Sequence, residues 1–387
     1  MVYSSSNMLA YELYGKDSYH YLKMQLIACA LGLISMLAAS YFPYQYYQKY
    51  AKLILVLSLI GLLLVFSPIG LNVRSAEGIR FHRWIRVASF QFQPVELTKL
   101  GMILYVSHFL VSKRNQIHSF TRGMLPTVVI LSITFILLYK QPDFGSAVLL
   151  SLSVLVLLFV GGARPSQIIL VVGIACFFIY ASIQGDVYKM QRIHGFLSSL
   201  QFPYEGHYQV NQSLNALALG GLFGAGIGNS IFKLFHLPYP HTDFIFAILG
   251  EELGFVGGVG IIVLFMLFIW RGIHIAQHTT DPFGCLIVIG ITTLIGLQTV
   301  VNIGVVTGML PAKGITLPFM SYGGSSLLVS MFSIGILLNV SRDMGKVSEV
   351  NSSLKIEPRV VEKSLSANVS TGSTGSAEDV VRGTPIR

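Results

Sequence analysis

Charged residues are scarce in this sequence. Only 11% of its 387 residues are Asp, Glu, Lys or Arg, whereas 53% are hydrophobic and the mean hydropathy is +0.67. A soluble domain carries about 25% charged residues, so this composition excludes one. Several apolar runs reach the length of about 20 residues that a helix needs to cross a membrane. The backbone of a span has to satisfy its own hydrogen bonds, so these runs are expected to be helices.

The sequence also lacks the residue spacings of several kinds of site. Its three cysteines, Cys29, Cys176 and Cys285, stand in apolar runs without any Cys-x-x-Cys or Cys/His pattern, which argues against a disulfide or a metal site. No Walker, HExxH or Ser-His-Asp pattern is present, and "GLFGAGIGN" follows no predicted strand, so it is not a nucleotide fingerprint. No basic region followed by an apolar core opens the chain, which argues against a cleavable signal peptide. We expect no cofactor and no nucleic-acid partner, and the residues leave a role for a divalent cation open.

The apolar runs predict an all-α polytopic membrane protein with nine spans. A large loop at about 184–245 separates the sixth span from the seventh, and its piece "YQVNQSLNALALGGLFGAGIGN" is typical of an amphipathic helix at the bilayer surface. The predicted membrane domain covers residues 1–342, and residues 343–387 are expected to be a disordered tail. The predicted spans are approximately 22–41, 51–70, 96–112, 123–140, 146–162, 166–183, 246–270, 283–307 and 321–341.

The net charge of +9 does not fix the orientation of these spans. Basic residues are about equally frequent in the loops of the two sides, so the positive-inside rule does not decide which side faces the cytoplasm. A charge-rich outer face would be useful if it binds an anionic substrate.

The segment "RFHRWIRVASFQFQPVELTK" concentrates charge just before a predicted span. Glu96 and Lys99 are three residues apart and therefore share one helix face. A charged pair at this position is usually functional, although a structural ion pair is the alternative. Trp84, beside Arg83, fits an interfacial anchor and a platform for a substrate sugar equally well.

Two further segments contain the Pro and Gly residues of a helix break. "KQPDFGSA" places Asp143 between two spans. "GMLPAKGITLPFMSYGGSSLL" carries Lys313 and resembles a re-entrant segment, which lines a cavity more often than it faces lipid. Tight helix packing through the small residues of "SYGGSS" is the alternative interpretation.

Asp243 is the acid whose position most favours catalysis. It begins the apolar run "DFIFAILGEELGFVGG", directly after His241 and Thr242, which can donate hydrogen bonds to it. An N-terminal helix cap is the alternative role for such an Asp. Glu251 and Glu252, about two turns further on, fit packing or positioning better than catalysis.

Four motifs in order carry a resemblance to a known family: "QPVELTK", "QPDFGSA", "HTDFIFAILGEELGFVG" and "LPAKGITLPFMSYGGSS". Together they resemble the SEDS proteins (shape, elongation, division and sporulation), which polymerise bacterial peptidoglycan strands. The resemblance covers about residues 1–342. "GEELG" and Thr316 favour the division-type branch, with the elongation-type branch as the alternative.

The resemblance implies a SEDS-type bundle of ten spans. The opening "MVYSSS" is similar to the end of the family's first span, so that span is expected to be missing and residues 1–20 to be loosely ordered at the outer surface.

The resemblance further implies glycosyl transfer at the outer face of the cytoplasmic membrane. The donor would be a polyprenyl-pyrophosphate-linked glycan, and the acceptor the 4-hydroxyl of lipid II. Asp243 is the candidate general base, and cations would hold the diphosphate. The implied partners are a class B penicillin-binding protein transpeptidase and other divisome proteins. The predicted substrate-binding residues are Arg83, Trp84, Glu96, Lys99, Arg192, Gln212, Lys233, His241, Thr242 and Ser321.

Two other functions remain open on the sequence. A lipid II flippase or proton-coupled transporter would use intramembrane acids and Lys99 to move a headgroup or protons. A scaffold that recruits division proteins would need no catalytic group at all.

Overall fold

The fold is a bundle of membrane-spanning helices with one small sheet. The computed structural model describes residues 1–13, 17–74, 80–87, 90–184, 190, 194–198, 208–233, 237, 240–311 and 314–354. The helices are α1 (Val2–Leu13), α2 (His20–Tyr41), α3 (Gln45–Leu64), α4 (Pro94–Ser112), α5 (Leu125–Lys140), α6 (Phe144–Val160), α7 (Pro165–Gln184), α8 (Tyr208–Gly220), α9 (Ile245–His278), α10 (Pro282–Val306) and α11 (Gly324–Leu354). A 3₁₀ turn (Arg114–Gln116) and a π-helical turn (Phe120–Met124) precede α5.

The predicted all-α polytopic architecture is confirmed. Each of the nine predicted spans overlaps one of the helices α2 to α7 and α9 to α11, although the helix predicted at 51–70 lies at Gln45–Leu64. Seven of the described helices are long and apolar enough to cross a membrane, and α6 and the first part of α7 are shorter apolar helices. Helices α4 and α10 lie at the centre, where they pack against each other and against α6, while α2 exposes most of its apolar surface.

The N-terminal segment is helical, so the expectation that it is loosely ordered is wrong for residues 2–13. Ser4, Ser5 and Ser6 of α1 are buried, and the Ser4 hydroxyl donates a hydrogen bond to Glu252 of α9. The Ser5 and Ser6 hydroxyls donate to backbone carbonyl oxygens of the same segment, so Ser4 provides the hydrogen bond that connects α1 to α9.

A three-stranded antiparallel sheet precedes α4, and the sequence reading missed it. It consists of β1 (Gly70–Arg74), β2 (Arg80–Val87) and β3 (Phe90–Phe92), in the order β1-β2-β3. Alternate residues of a strand point to the same face. Arg83 therefore shares a face with Ile85, which is buried.

Helix α9 is interrupted near its start. Gly254 has φ +68° and ψ −168°, values that no helix contains and that favour glycine. The freed backbone groups bond to the segment after α8: the Phe255 N–H donates to Gly221 O at 2.9 Å, and the Ala225 N–H donates to Glu251 O at 2.9 Å. The break thus fixes the predicted amphipathic helix α8 against the first turns of α9.

The last helix, α11, contains residues of two units of the chain. Residues 1–341 form one compact unit and residues 342–387 a second. The second unit is described only for the continuation of α11 to Leu354. The rest of the predicted tail lies outside the described residues, so its disorder stays a prediction.

Candidate active site

Asp243 lies in the turn before α9, where the residue is half-buried. The segment 314–322 folds over this turn. Its Gly314 approaches so closely that an added Cβ would lie 2.6 Å from Asp243 Oδ2. The residue at the N-cap of α9 is Phe244, and among the described residues no side chain caps that helix end. Asp243 therefore does not cap helix α9.

Two buried side chains hold the Asp243 turn and the covering segment together. The Ser321 hydroxyl donates to the carbonyl oxygen of Thr242 at 2.6 Å. The Asn302 amide of α10 donates to the carbonyl oxygens of Asp243, at 2.9 Å, and of Ile315, at 2.6 Å. One of these contacts comes from helix α10 and the other from the segment 314–322. The backbone of the Asp243 turn is therefore held by two different elements.

His241 is held between aromatic rings. Its ring centroid lies 5.0 Å from that of Tyr21 and 5.8 Å from that of Tyr322. The backbone N–H of Tyr322 also donates to His241 O at 2.9 Å. Burial lowers the pKa of His241 to about 4, so this imidazole is neutral at pH 7. The neutral ring supplies no counter-charge to Asp243, and its buried Nδ1 has no hydrogen-bond partner among the described residues.

Arg83 connects the sheet to the break between α5 and α6. Its Nε donates to the carbonyl oxygen of Gln141 at 3.4 Å, and a terminal nitrogen donates to that of Pro142. Asp143 follows, and its carboxylate accepts a hydrogen bond from the Ser146 N–H at the start of α6.

The charges of Arg83 in β2 and of Asp143 before α6 shift the pKa of Asp243. Burial raises the pKa of the Asp243 carboxyl to about 6, while Arg83 lowers this pKa and Asp143 raises it. An unperturbed Asp has a pKa of about 3.9. At neutral pH Asp243 is therefore largely ionised, yet it is a stronger base than a surface Asp, which suits a general base.

Glu96 and Lys99 form the predicted pair on one face of α4, as a buried ion pair. Lys99 Nζ lies 2.9 Å from Glu96 Oε2, and the two side chains are 3% and 9% exposed. Beside them is a cavity of about 20 Å³, room for about one water molecule, which Gln298 and Ser333 also line. The Gln298 amide donates to the Thr316 carbonyl oxygen at 3.0 Å, so the ion pair adjoins the segment that covers Asp243.

Lys233 lies in a second buried ion pair. Its Nζ is 3.2 Å from Glu252 Oε1, and the two side chains are 6% and 0% exposed. Ser4 Oγ lies 3.3 Å from the same Nζ. Glu251 binds a different segment, because it accepts hydrogen bonds from Ser230 Oγ at 2.5 Å and from the neighbouring backbone. Both glutamates thus position loops, as expected, and a contact of Lys233 with pyrophosphate stays a prediction.

The remaining predicted residues are distributed around this site. Trp84 pairs with Leu71 in the sheet and is partly buried. Gln212 lies on α8 and is partly buried. Arg192 lies outside the described residues, as does Lys313. Among the described residues, no group of three or more His, Cys, Asp and Glu side chains could hold a metal ion.

The structure therefore brings four of the predicted site residues together. His241, Thr242 and Asp243 lie in the turn before α9, and Ser321 lies in the segment 314–322 that folds over it. It also adds residues that the sequence reading missed, above all Asn302 and Gln298 of α10. The sequence did contain a signal for these two residues. Each is an amide side chain inside an apolar span, which is rare and usually faces the bundle interior.

Comparisons with known proteins agree with the four motifs. The model of the FtsW/RodA/SpoVE cell cycle proteins matches residues 1–346. A probable peptidoglycan glycosyltransferase FtsW from Geobacter metallireducens is 41% identical over 345 residues, which cover 89% of this chain and 90% of that protein. Stage V sporulation protein E of Bacillus subtilis is 40% identical over 342 residues, which cover 88% of this chain and 92% of that protein.

Solved structures agree as well. A chain of a peptidoglycan synthase complex, described as coordinating polymerization and crosslinking, matches with a TM-score of 0.70 and 26% identity over 89% of this chain and 96% of that one. The rod shape determining protein RodA of Thermus thermophilus matches with a TM-score of 0.61 and 26% identity over 88% and 94% of the two chains. On its motifs, its sequence and its fold, this chain belongs to the FtsW/RodA/SpoVE family, that is, to the SEDS proteins.

Proposed function

We propose that this chain is a peptidoglycan glycosyltransferase of the division type, which polymerises lipid II into glycan strands. The observation that carries the proposal is the Asp243 carboxylate. The residue is half-buried, its pKa is about 6, and buried hydrogen bonds from Asn302 and Ser321 hold the backbone carbonyl groups of Asp243 and Thr242. The names of relatives about 40% identical over most of the chain support the same reaction.

Asp243 acts as the general base in this proposal. The carboxylate takes the proton of the lipid II 4-hydroxyl while that oxygen attacks the anomeric carbon of the growing glycan. The bond between that carbon and the pyrophosphate oxygen breaks, and polyprenyl pyrophosphate leaves with the electron pair. Arg83 is the described cation whose charge acts on Asp243, so it is the first candidate to stabilise the departing diphosphate.

The site is expected on the outer face of the cytoplasmic membrane, where lipid II presents its sugars for polymerisation. A class B penicillin-binding protein transpeptidase would crosslink the product, as the description of the matched synthase complex suggests. Other divisome proteins would recruit the pair to the division site.

Purified protein in liposomes with fluorescent lipid II tests this function. Polymer on a gel is the expected result. Movement of lipid II between leaflets without polymer would indicate a flippase instead, and neither activity would indicate a scaffold. The four acids and bases that a proton-coupled transporter would use, Glu96, Lys99, Glu251 and Glu252, all have protein partners in the structure, so we favour the polymerase.

A further inference from the structure

A polar depression of about 550 Å³ opens at the end of the helix bundle opposite to Asp243. It lies between the loop 113–124, which joins α4 to α5, and the loop 161–164, which joins α6 to α7. Arg83 contacts the other end of α5, at Pro142, and its charge acts on Asp243. The depression is therefore one full span away from the proposed glycosyl-transfer site.

The two loops that form this depression carry charge of one sign. Residues 112–124 and 161–167 contain four Lys and Arg and no Asp or Glu. Arg122 and Arg164, one from each loop, line the depression and are exposed. Within the described part of the chain, no carboxylate forms an ion pair with either guanidinium. A guanidinium matches the geometry of a phosphate group with two parallel hydrogen bonds.

The loops that carry these arginines are held in place without a ligand. Ile117 is buried in the core of the bundle, with only 2% of its surface exposed. Gly123 packs against the same turn so closely that an added Cβ would lie 2.4 Å from Gln116 O. The Gln167 amide of α7 donates to His118 O at 3.1 Å and so connects the first loop to the helix that follows the second. Binding would therefore need little ordering of the backbone, which favours affinity.

An apolar stripe begins where the depression ends. Leu125, Val129, Ile133 and Ile136 of α5 follow Arg122 along one helix face, and all four are exposed. This spacing forms a continuous surface along the span. A phosphate in the depression would thus lie directly above a surface on which hydrocarbon chains can pack.

We propose that the depression between loops 113–124 and 161–164 binds the phosphate headgroup of an anionic phospholipid, with the acyl chains along α5. Arg122 and Arg164 would bind the phosphate, while Thr121 and Asn115 would donate to its ester or glycerol oxygens. Basic residues near a membrane surface attract anionic lipid by about 1 kcal/mol each. The site uses none of the residues of the Asp243 turn, so it does not depend on the proposed glycosyl transfer.

Lipid binding to the purified full-length protein in detergent tests this inference. Native mass spectrometry would be used to titrate phosphatidylglycerol, with phosphatidylcholine as the zwitterionic comparison. We expect saturable binding of phosphatidylglycerol, and an affinity lowered at least about tenfold in the double variant Arg122→Gln/Arg164→Gln. The matched control Lys49→Gln/Arg271→Gln removes the same charge from exposed positions at the same end of the bundle. Because neither side chain lines the depression, the control should lower the affinity clearly less than the double variant does.

Three results would overturn the inference. One is equal loss of affinity in the control variant, which would indicate general surface charge. Another is displacement of phosphatidylglycerol by millimolar inorganic phosphate, which would indicate a site for free phosphate. The third is equal binding of phosphatidylcholine. If the double variant does not fold, a photoactivatable phosphatidylglycerol on the wild-type protein decides: crosslinks to residues 113–129 support the site, and crosslinks only elsewhere refute it.

Discussion

Replacing Gly314 by Ala tests whether the position of the Asp243 carboxylate sets the rate. The new Cβ would lie 2.6 Å from Asp243 Oδ2, whereas non-bonded heavy atoms attract each other at roughly 3.5–4.0 Å. The carboxylate therefore has to retreat by about 1 Å. A displacement of about 1 Å in an active site can cost about 10²-fold in rate. We expect a loss of that order in lipid II polymerisation by the Gly314→Ala variant.

The same change should have little effect on folding. The atom that Ala would meet is the end of a side chain, which can rotate away, and the Asn302 and Ser321 hydrogen bonds to the backbone remain. The melting temperature in detergent should therefore stay near that of the wild type. Gly323→Ala is the matched control, because the nearest atom to its added Cβ is Ser326 Cβ at 3.7 Å, an ordinary contact. Unchanged polymerisation by Gly314→Ala, or an equal loss in Gly323→Ala, would refute the reasoning.

Three further predictions follow from buried or strained groups. The polymerisation rate should fall as the pH is lowered through about 6, because Asp243 is then protonated and cannot accept a proton; a pH–rate profile that is flat from 5 to 8 would contradict this. Lys99→Ala should lower the free energy of unfolding by about 3–5 kcal/mol, because it leaves Glu96 buried and unpaired, whereas Lys23→Ala, at an exposed ion pair, should leave denaturant titrations unchanged. Gly254→Ala should lower the same free energy by more than about 1 kcal/mol, because φ is +68° there; a titration that matches the wild type would show that the break in α9 tolerates a side chain.

Hydropathy was sufficient to predict the spans because the membrane sets their length. Each apolar run of about 20 residues had one plausible structure, a helix that satisfies its own backbone. The amphipathic helix that became α8 was predictable for a related reason: its buried residues recur every three or four positions, as at Val210, Ser213 and Ala216.

The sheet could not be predicted in the same way. Its strands contain 5, 8 and 3 residues, and their pairing depends on hydrogen bonds between segments rather than on a long period in the sequence. The irregular register between Leu71 and Asn72 adds a further shift that hydropathy does not encode. As a result, the sequence identified Arg83 as a cation but not its contact with Pro142.

Contacts between distant residues were also beyond the sequence reading. Ser4 and Glu252 are 248 positions apart, so nothing local indicated that the N-terminal helix supplies a hydroxyl to a buried glutamate. For the same reason the ion pair between Lys233 and Glu252 could not be predicted, while a role of Lys233 in substrate binding stays a prediction. By contrast, Thr242, Asp243 and Ser321 were found together because each stands in a motif of the family.

The most direct test of the proposed mechanism is the polymerisation rate of the Asp243→Asn variant. Asn keeps the shape of the side chain and removes the base, and the hydrogen bond from Asn302 to the backbone of residue 243 is unaffected. Loss of a general base is typically worth about 10²–10⁴-fold in rate. We expect a loss of that size in a variant that still binds lipid II with the affinity of the wild type. Polymer formation by Asp243→Asn at nearly the wild-type rate would contradict the account.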